Sequence, residues 1–118
     1  MACVYCGGPR AADATKMIHV LATVTLTPGT RPLFLAVFNA NVPNVLAEDG
    51  CIEYGAAVDA ATDIAVQPPI RPDVVVVVEK WRDVAALKAH SAAPHMAAYR
   101  VKAKDYIQSV SLQILDPA

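Results

Sequence analysis

Two junctions constrain this chain more than any other feature. In Ala47-Glu48-Asp49-Gly50-Cys51-Ile52-Glu53-Tyr54 a helical stripe ends at a glycine and hands over to an alternating strand. In Glu79-Lys80-Trp81-Arg82-Asp83-Val84-Ala85-Ala86-Leu87-Lys88-Ala89-His90-Ser91-Ala92-Ala93-Pro94-His95 a strand hands over to a helix that carries two histidines. The two junctions frame one pocket.

The segments around them follow in order. Ile18, Val20, Ala22, Val24 and Leu26 alternate with other residues at the period of a strand, and Thr27-Pro28-Gly29 turns the chain. Leu33, Phe34, Val37, Phe38, Val42, Val45 and Leu46 recur at helical spacing. Pro43 inside that stripe cannot donate to the carbonyl of Asn39, so a kink or loosening is expected over Asn39 to Val42, with Gly50 as the left-handed stop. Cys51 to Val58 reads as a second strand, and Pro68, Pro69 and Pro72 make the following stretch a loop. Val74 to Trp81 is a third strand. Asp83 is placed to cap a helix from Val84, Pro94 interrupts it, and a second helical piece is predicted from His95 to Tyr106. Ile107 to Leu115 alternates again.

The order is β-α-β-β-α-β, an α+β ferredoxin-like arrangement with helices on one face of an antiparallel sheet. The bare face then carries apolar residues that a second copy would cover, predicting a homodimer packed sheet against sheet. Residues 1–16 mix Gly, Pro, Ala and Asp without period and are expected to be a poorly ordered extension to a single domain over 17–118. A chain of 118 residues can bury a core without disulfides or metal.

Charge excludes some partners. Ten basic and eleven acidic residues give a net charge of −1, and neither sign forms the stripe that a phosphate backbone demands, so nucleic acid is not expected. The apolar run Val74 to Val78 is far shorter than the roughly 20 residues of a spanning helix. No membrane association is expected, and the N-terminus lacks the pattern of a secretory signal, which suggests a cytoplasmic protein. Three cysteines argue against a disulfide framework. Cys3-Val4-Tyr5-Cys6 supplies only two zinc ligands, and Cys51 suits a small buried apolar residue. No glycine-rich nucleotide loop is present, so neither nicotinamide nor flavin is implied.

These residues resemble the antibiotic biosynthesis monooxygenase family, small dimeric α+β barrel proteins that include quinol monooxygenases. The resemblance rests on Glu48 to Tyr54, on Glu79-Lys80-Trp81 with Asp83 and Ala86-Leu87, and on His90 to His95, and it spans about Met17 to Leu115. The branches of the family differ from this chain in telling ways. Where the polyketide-oxidising branch has an Asn and a Tyr around the strand-end Trp, this chain has Val77 and Leu87 around Trp81. Ala22 stands where the haem-degrading branch has an Asn, and Val42 where the autoinducer-isomerising branch has a His.

The resemblance implies a monooxygenase that needs no cofactor and no metal, acting on a small quinol-like or phenolic substrate with molecular oxygen. The competing reading is a non-oxidative small-molecule isomerase or a binding or sensor protein on the same scaffold. Triplet oxygen reacts slowly with closed-shell molecules until one electron moves, and deprotonating the substrate speeds that step. The protein must therefore supply a base and a dry apolar cage. His90 is the candidate base, because histidine titrates near neutrality, although a helix-end histidine also serves as a carbonyl cap. Glu79 shares a sheet face with Val77 and Trp81 and either orients His90 or satisfies a buried donor. Val77, Trp81 and Leu87 are candidate apolar wall. His95, Asn41, Tyr54 and Tyr99 are candidate substrate contacts, with capping, freed-backbone and core roles as their alternatives. His90 and His95 are poorly placed to share a metal, since at about 100° per residue positions five apart diverge on one helix unless Pro94 bends the chain.

Overall fold

The computed structural model describes residues 16–118. The Cys3–Cys6 pair, and all of the expected N-terminal extension but Lys16, lie outside them. The elements are β1 (Ile18–Leu26), α1 (Arg31–Leu46), β2 (Cys51–Ala57), β3 (Val74–Trp81), α2 (Val84–Ala92), α3 (Pro94–Ala103) and β4 (Ile107–Leu115). The antiparallel sheet runs β2-β3-β1-β4, the ferredoxin-like order. The second helical region is two helices, giving β-α-β-β-α-α-β.

Alternation decides which face of each strand is covered. Ile18, Val20, Ala22, Val24 and Leu26 of β1 are buried, as are Val75, Val77, Glu79 and Trp81 of β3. Opposite them Phe34, Phe38 and Val45 descend from α1, Ala86, Leu87 and His90 from α2, and Met96 and Ala103 from α3. Phe34, Phe38, Val24, Val75 and Val77 belong to one cluster, and Ile18, Val20, Trp81, Leu87 and Met96 to a second beside it. The gap between the two clusters becomes the site.

Two local expectations are corrected. Helix α1 runs without a break from Arg31 to Leu46 with Pro43 inside it, so the loosening expected over Asn39 to Val42 does not occur. Both Asn39 and Pro43 are exposed, so water can meet the carbonyl that proline leaves unbonded, and the helix need not open. Gly50 has the left-handed φ of +89° but does not stop α1, whose cap is Ala47 in helical geometry. Gly50 instead closes the turn into β2, where its carbonyl accepts the amide of Arg82 at 2.8 Å. A Cβ there would lie 2.6 Å from Cβ of Ala86, so glycine also permits the close approach of this turn to α2. Glu48 lies in the same turn, held over the helix that carries His90.

The split between α2 and α3 has a local cause. Asp83 caps α2, its Oδ1 accepting the Ala86 amide at 2.8 Å. Ala93, which precedes Pro94, takes φ −65° and ψ 138°. Proline crowds the preceding residue out of helical geometry, and itself begins α3.

Candidate functional site

A cavity of about 550 Å³ lies between the sheet and the helices. Its floor is Val20, Ala22, Val24, Val77 and Glu79, its roof Phe38, Leu87, His90, Met96 and Tyr99, and Tyr54 closes one end. Arg100 and Lys104 stand at its exposed rim, and the β4 residues Val110 and Leu112 line its open side. Those two pair with Val24 and Ala22 and share their face, yet each remains 53% exposed. The cavity is thus apolar, with His90 and Glu79 as buried polar groups in its wall.

His90 is held from three sides. Its Nδ1 lies 2.8 Å from Oε2 of Glu48, its ring packs on Trp81 with centroids 4.7 Å apart, and Tyr54 meets it edge-on at 5.5 Å. An ionised carboxylate only accepts hydrogen bonds, so facing Glu48 the proton of a neutral His90 sits on Nδ1. Nε2 then keeps its lone pair. The partner of His90 is therefore Glu48, in the α1–β2 turn, and not Glu79.

Glu79 accepts the Trp81 indole N–H at 2.9 Å. Burial pushes its carboxyl above the usual range and nearby Glu48 adds to this, while the Trp81 bond and the proximity of His90 pull the other way. Burial likewise raises both phenols: Tyr99 to about 12, and Tyr54 further, with Glu79 adding to the latter. At neutral pH both are O–H donors. Phe38 stacks on Tyr54 at 5.3 Å and meets Tyr99 edge-on at 6.1 Å, which holds both rings in place.

His95 and Asn41 are placed elsewhere. They line a second hollow of about 410 Å³ between α1 and α3, with Asn44, Tyr99 and Lys102. Asn41 Nδ2 lies 3.2 Å from Nδ1 of His95 and 3.4 Å from Sδ of Met96, while its Oδ1 accepts from Asn44 at 3.0 Å. Nε2 of His95 approaches Oε2 of Glu48 to 2.9 Å, but is not aligned as a hydrogen bond. The helix break at Pro94 thus turns His90 and His95 toward one carboxylate, a convergence that an unbroken helix would forbid. Among the described residues no group of three or more His, Cys, Asp or Glu is disposed to hold a metal ion.

Residues 17–102 match the family model described as antibiotic biosynthesis monooxygenase. The chain belongs to this family. It is 37% identical over 103 residues to "Probable quinol monooxygenase YgiN" of Escherichia coli K12, covering 86% of this chain and 98% of that protein. The protein of the same name from Shigella flexneri matches with the same figures. Among solved structures, Rv0793 of Mycobacterium tuberculosis aligns with a TM-score of 0.71 and 25% identity over 87% of this chain and 96% of that one. PA3566 of Pseudomonas aeruginosa has a TM-score of 0.73 and 24% identity, over 89% of this chain and 97% of that one, and attests the fold alone.

Of the residues that sequence and family resemblance single out, the monooxygenase-family fold gathers His90, Glu79, Val77, Leu87, Tyr54 and Tyr99 around the main cavity. Trp81 is fully buried behind His90, and Asn41 and His95 lie one layer further out. Glu48, Phe38, Met96 and Arg100 join the site although the sequence-based expectations assign none of them to it. Glu48 sits in a turn 42 residues from His90, a separation that periodicity cannot bridge. Arg100 and Lys104 do follow Met96 at intervals of four on and beyond α3, a spacing that places them along one side. No helix among the described residues is long and apolar enough to cross a membrane.

Proposed function

We propose that the chain is a monooxygenase requiring no metal or organic cofactor, which oxidises a small quinol-like or phenolic substrate with molecular oxygen. The observation that carries the reading is the His90 imidazole, buried in the wall of an apolar cavity with its Nδ1 held 2.8 Å from Oε2 of Glu48, a contact that leaves Nε2 for a substrate. Family membership and the likeness to a protein named as a probable quinol monooxygenase support it. A volume of about 550 Å³ suits an aromatic substrate of one or two rings.

In this reading His90 Nε2 takes the proton of a substrate hydroxyl, and Glu48 stabilises the resulting imidazolium. The electron-rich anion passes one electron to oxygen, and the two radicals combine at a ring carbon to form a C–O bond. Loss of the proton on that carbon and cleavage of the O–O bond release water and leave a carbonyl. A hydroquinone thereby gives a hydroxyquinone: one oxygen atom enters the product, the other leaves as water, and all four electrons come from the substrate. The half-buried phenols of Tyr54 and Tyr99 donate to substrate oxygens, and Val77, Leu87 and Met96 exclude water from the anion.

We further infer a homodimer, supported by the sheet face that no helix covers, where Leu21, Val74, Val76 and Val78 lie together.

Oxygen uptake with a panel of hydroquinones and phenols tests the function, beside His90→Ala and a chelator-treated control. Wild type consumes oxygen above the buffer rate, His90→Ala loses about a hundredfold or more of it, and chelation leaves it unchanged. Absence of uptake with every substrate would sink the oxygenase reading. Proton exchange into an enolisable substrate without uptake would point instead to an isomerase using the same base. Loss of turnover on chelation would overturn the metal-free mechanism.

A further inference from the structure

The main cavity and the α1–α3 hollow are joined by polar contacts rather than by open space. Asn41, His95, Glu48 and His90 come from α1, α3, the α1–β2 turn and α2, and their polar atoms succeed one another at 3.2, 2.9 and 2.8 Å. Charge neutralisation alone would not require such an order, and the donor and acceptor roles along it can be worked out.

The chain starts at Asn41. Its Oδ1 accepts from Asn44, and its Nδ2 faces Met96 Sδ, which can only accept. Both contacts set the same amide orientation, leaving Nδ2 to donate to His95 Nδ1. That nitrogen must then be the unprotonated one, so the proton of neutral His95 sits on Nε2, facing Glu48. Oε2 of Glu48 thus meets two N–H groups, His90 in hydrogen-bond alignment and His95 out of it. A carboxylate oxygen has two lone pairs, and a small rotation of the Glu48 carboxylate presents the second to His95. His95 Nε2 is the one buried side-chain polar atom without a hydrogen bond among the described residues, which marks this contact as the adjustable link.

We infer that Glu48 and His95 are positioning residues: the chain Asn41–His95–Glu48–His90 holds His90 as its Nδ1–H tautomer and turns an unprotonated Nε2 toward the substrate. His95 serves the reaction through Glu48 and never touches the substrate. The catalytic consequence rests on the oxygenase reading above, whereas the tautomer of His90 does not.

The test combines imidazole nitrogen NMR on protein carrying ¹⁵N-histidine with steady-state oxygen uptake. It uses wild type, Glu48→Gln, His95→Phe and His95→Gln, whose amide nitrogen stands where Nε2 does. Wild-type His90 should show the Nδ1–H pattern when neutral. Glu48→Gln should populate the Nε2–H form and lower kcat about ten- to hundredfold. His95→Phe should shift His90 partly toward Nε2–H and lower kcat severalfold with KM unchanged, and His95→Gln should restore both.

A wild-type His90 found as Nε2–H overturns the inference. So does a His95→Phe variant that leaves the His90 spectrum untouched, or one that raises KM alone. If Glu48→Gln does not fold, the wild-type tautomer and the two His95 variants still decide the matter. Failure of every hydroquinone to drive oxygen uptake in wild type sinks the oxygenase reading, while the nitrogen spectra judge the chain independently.

Discussion

Glu79 is a carboxylate in an otherwise apolar sheet face, and its cost depends on whether it is charged. In the unfolded chain it releases its proton near 4.5; in the folded protein burial delays that release to higher pH. Between those two points the folded state binds more protons than the unfolded state. Stability therefore falls as pH rises from 4.5 through the folded-state value, and the penalty is complete above it. Glu79→Gln keeps an oxygen that can accept the Trp81 indole but has nothing to ionise. The difference in unfolding free energy between wild type and Glu79→Gln should thus move against wild type as pH rises from 4.5 toward neutrality. Urea midpoints of both proteins across that range measure it, with other titrating groups cancelling in the difference. Parallel curves would mean that Glu79 is not penalised by burial.

At the scale of elements, α2 is the piece on which the site depends, and at nine residues it is too short to hold itself together. Its first turn relies on the Asp83 cap and its last on Ala93, held extended by Pro94. Asp83→Ala should cost about 1 kcal/mol of unfolding free energy, and it should loosen the helix that carries His90. Amide exchange at Ala86 and Leu87 should quicken with it; unchanged protection there would show that packing alone fixes the helix. This cap was legible in the sequence, as were β1, β3 and β4, because alternation and a short acidic side chain before a helix are local signals. The uninterrupted course of α1 through Pro43 was not, since it depends on the solvent exposure of Asn39 and Pro43, which only the packed helix defines. Nor was Glu48 legible as the partner of His90. The resemblance and the sheet face drew attention to Glu79, whose distance from His90 along the chain is shorter, but the α1–β2 turn folds across α2 and delivers a different carboxylate. The sequence assigns Asn41 to a substrate oxygen or to the backbone freed near Pro43, whereas its contacts are His95, Met96 and Asn44. The contact with His95 follows from the packing of α1 on α3.

For the whole molecule, the sheet divides two tasks. Its helix-covered face builds the cavity, and its other face presents Leu21, paired with Val78, beside Val76 and Val74. Leu21 is 38% exposed in the single chain, so a polar residue there costs the isolated fold little. In a two-fold dimer the same residue occurs twice in the interface. Covering the 38% of each leucine that is still exposed contributes up to about 1 kcal/mol, so Leu21→Lys should weaken association by about 1 to 2 kcal/mol, roughly tenfold in Kd, before charge repulsion is added. Sedimentation should give wild type at twice the chain mass and Leu21→Lys shifted toward the single chain, with the far-UV spectrum retained. Because the cavity lies on the opposite face, the dissociated variant should keep the His90 nitrogen spectrum of wild type. Wild type sedimenting as a single chain at every concentration would remove the dimer. A dissociated variant with an altered His90 spectrum would show instead that the second copy helps to shape the cavity through the sheet.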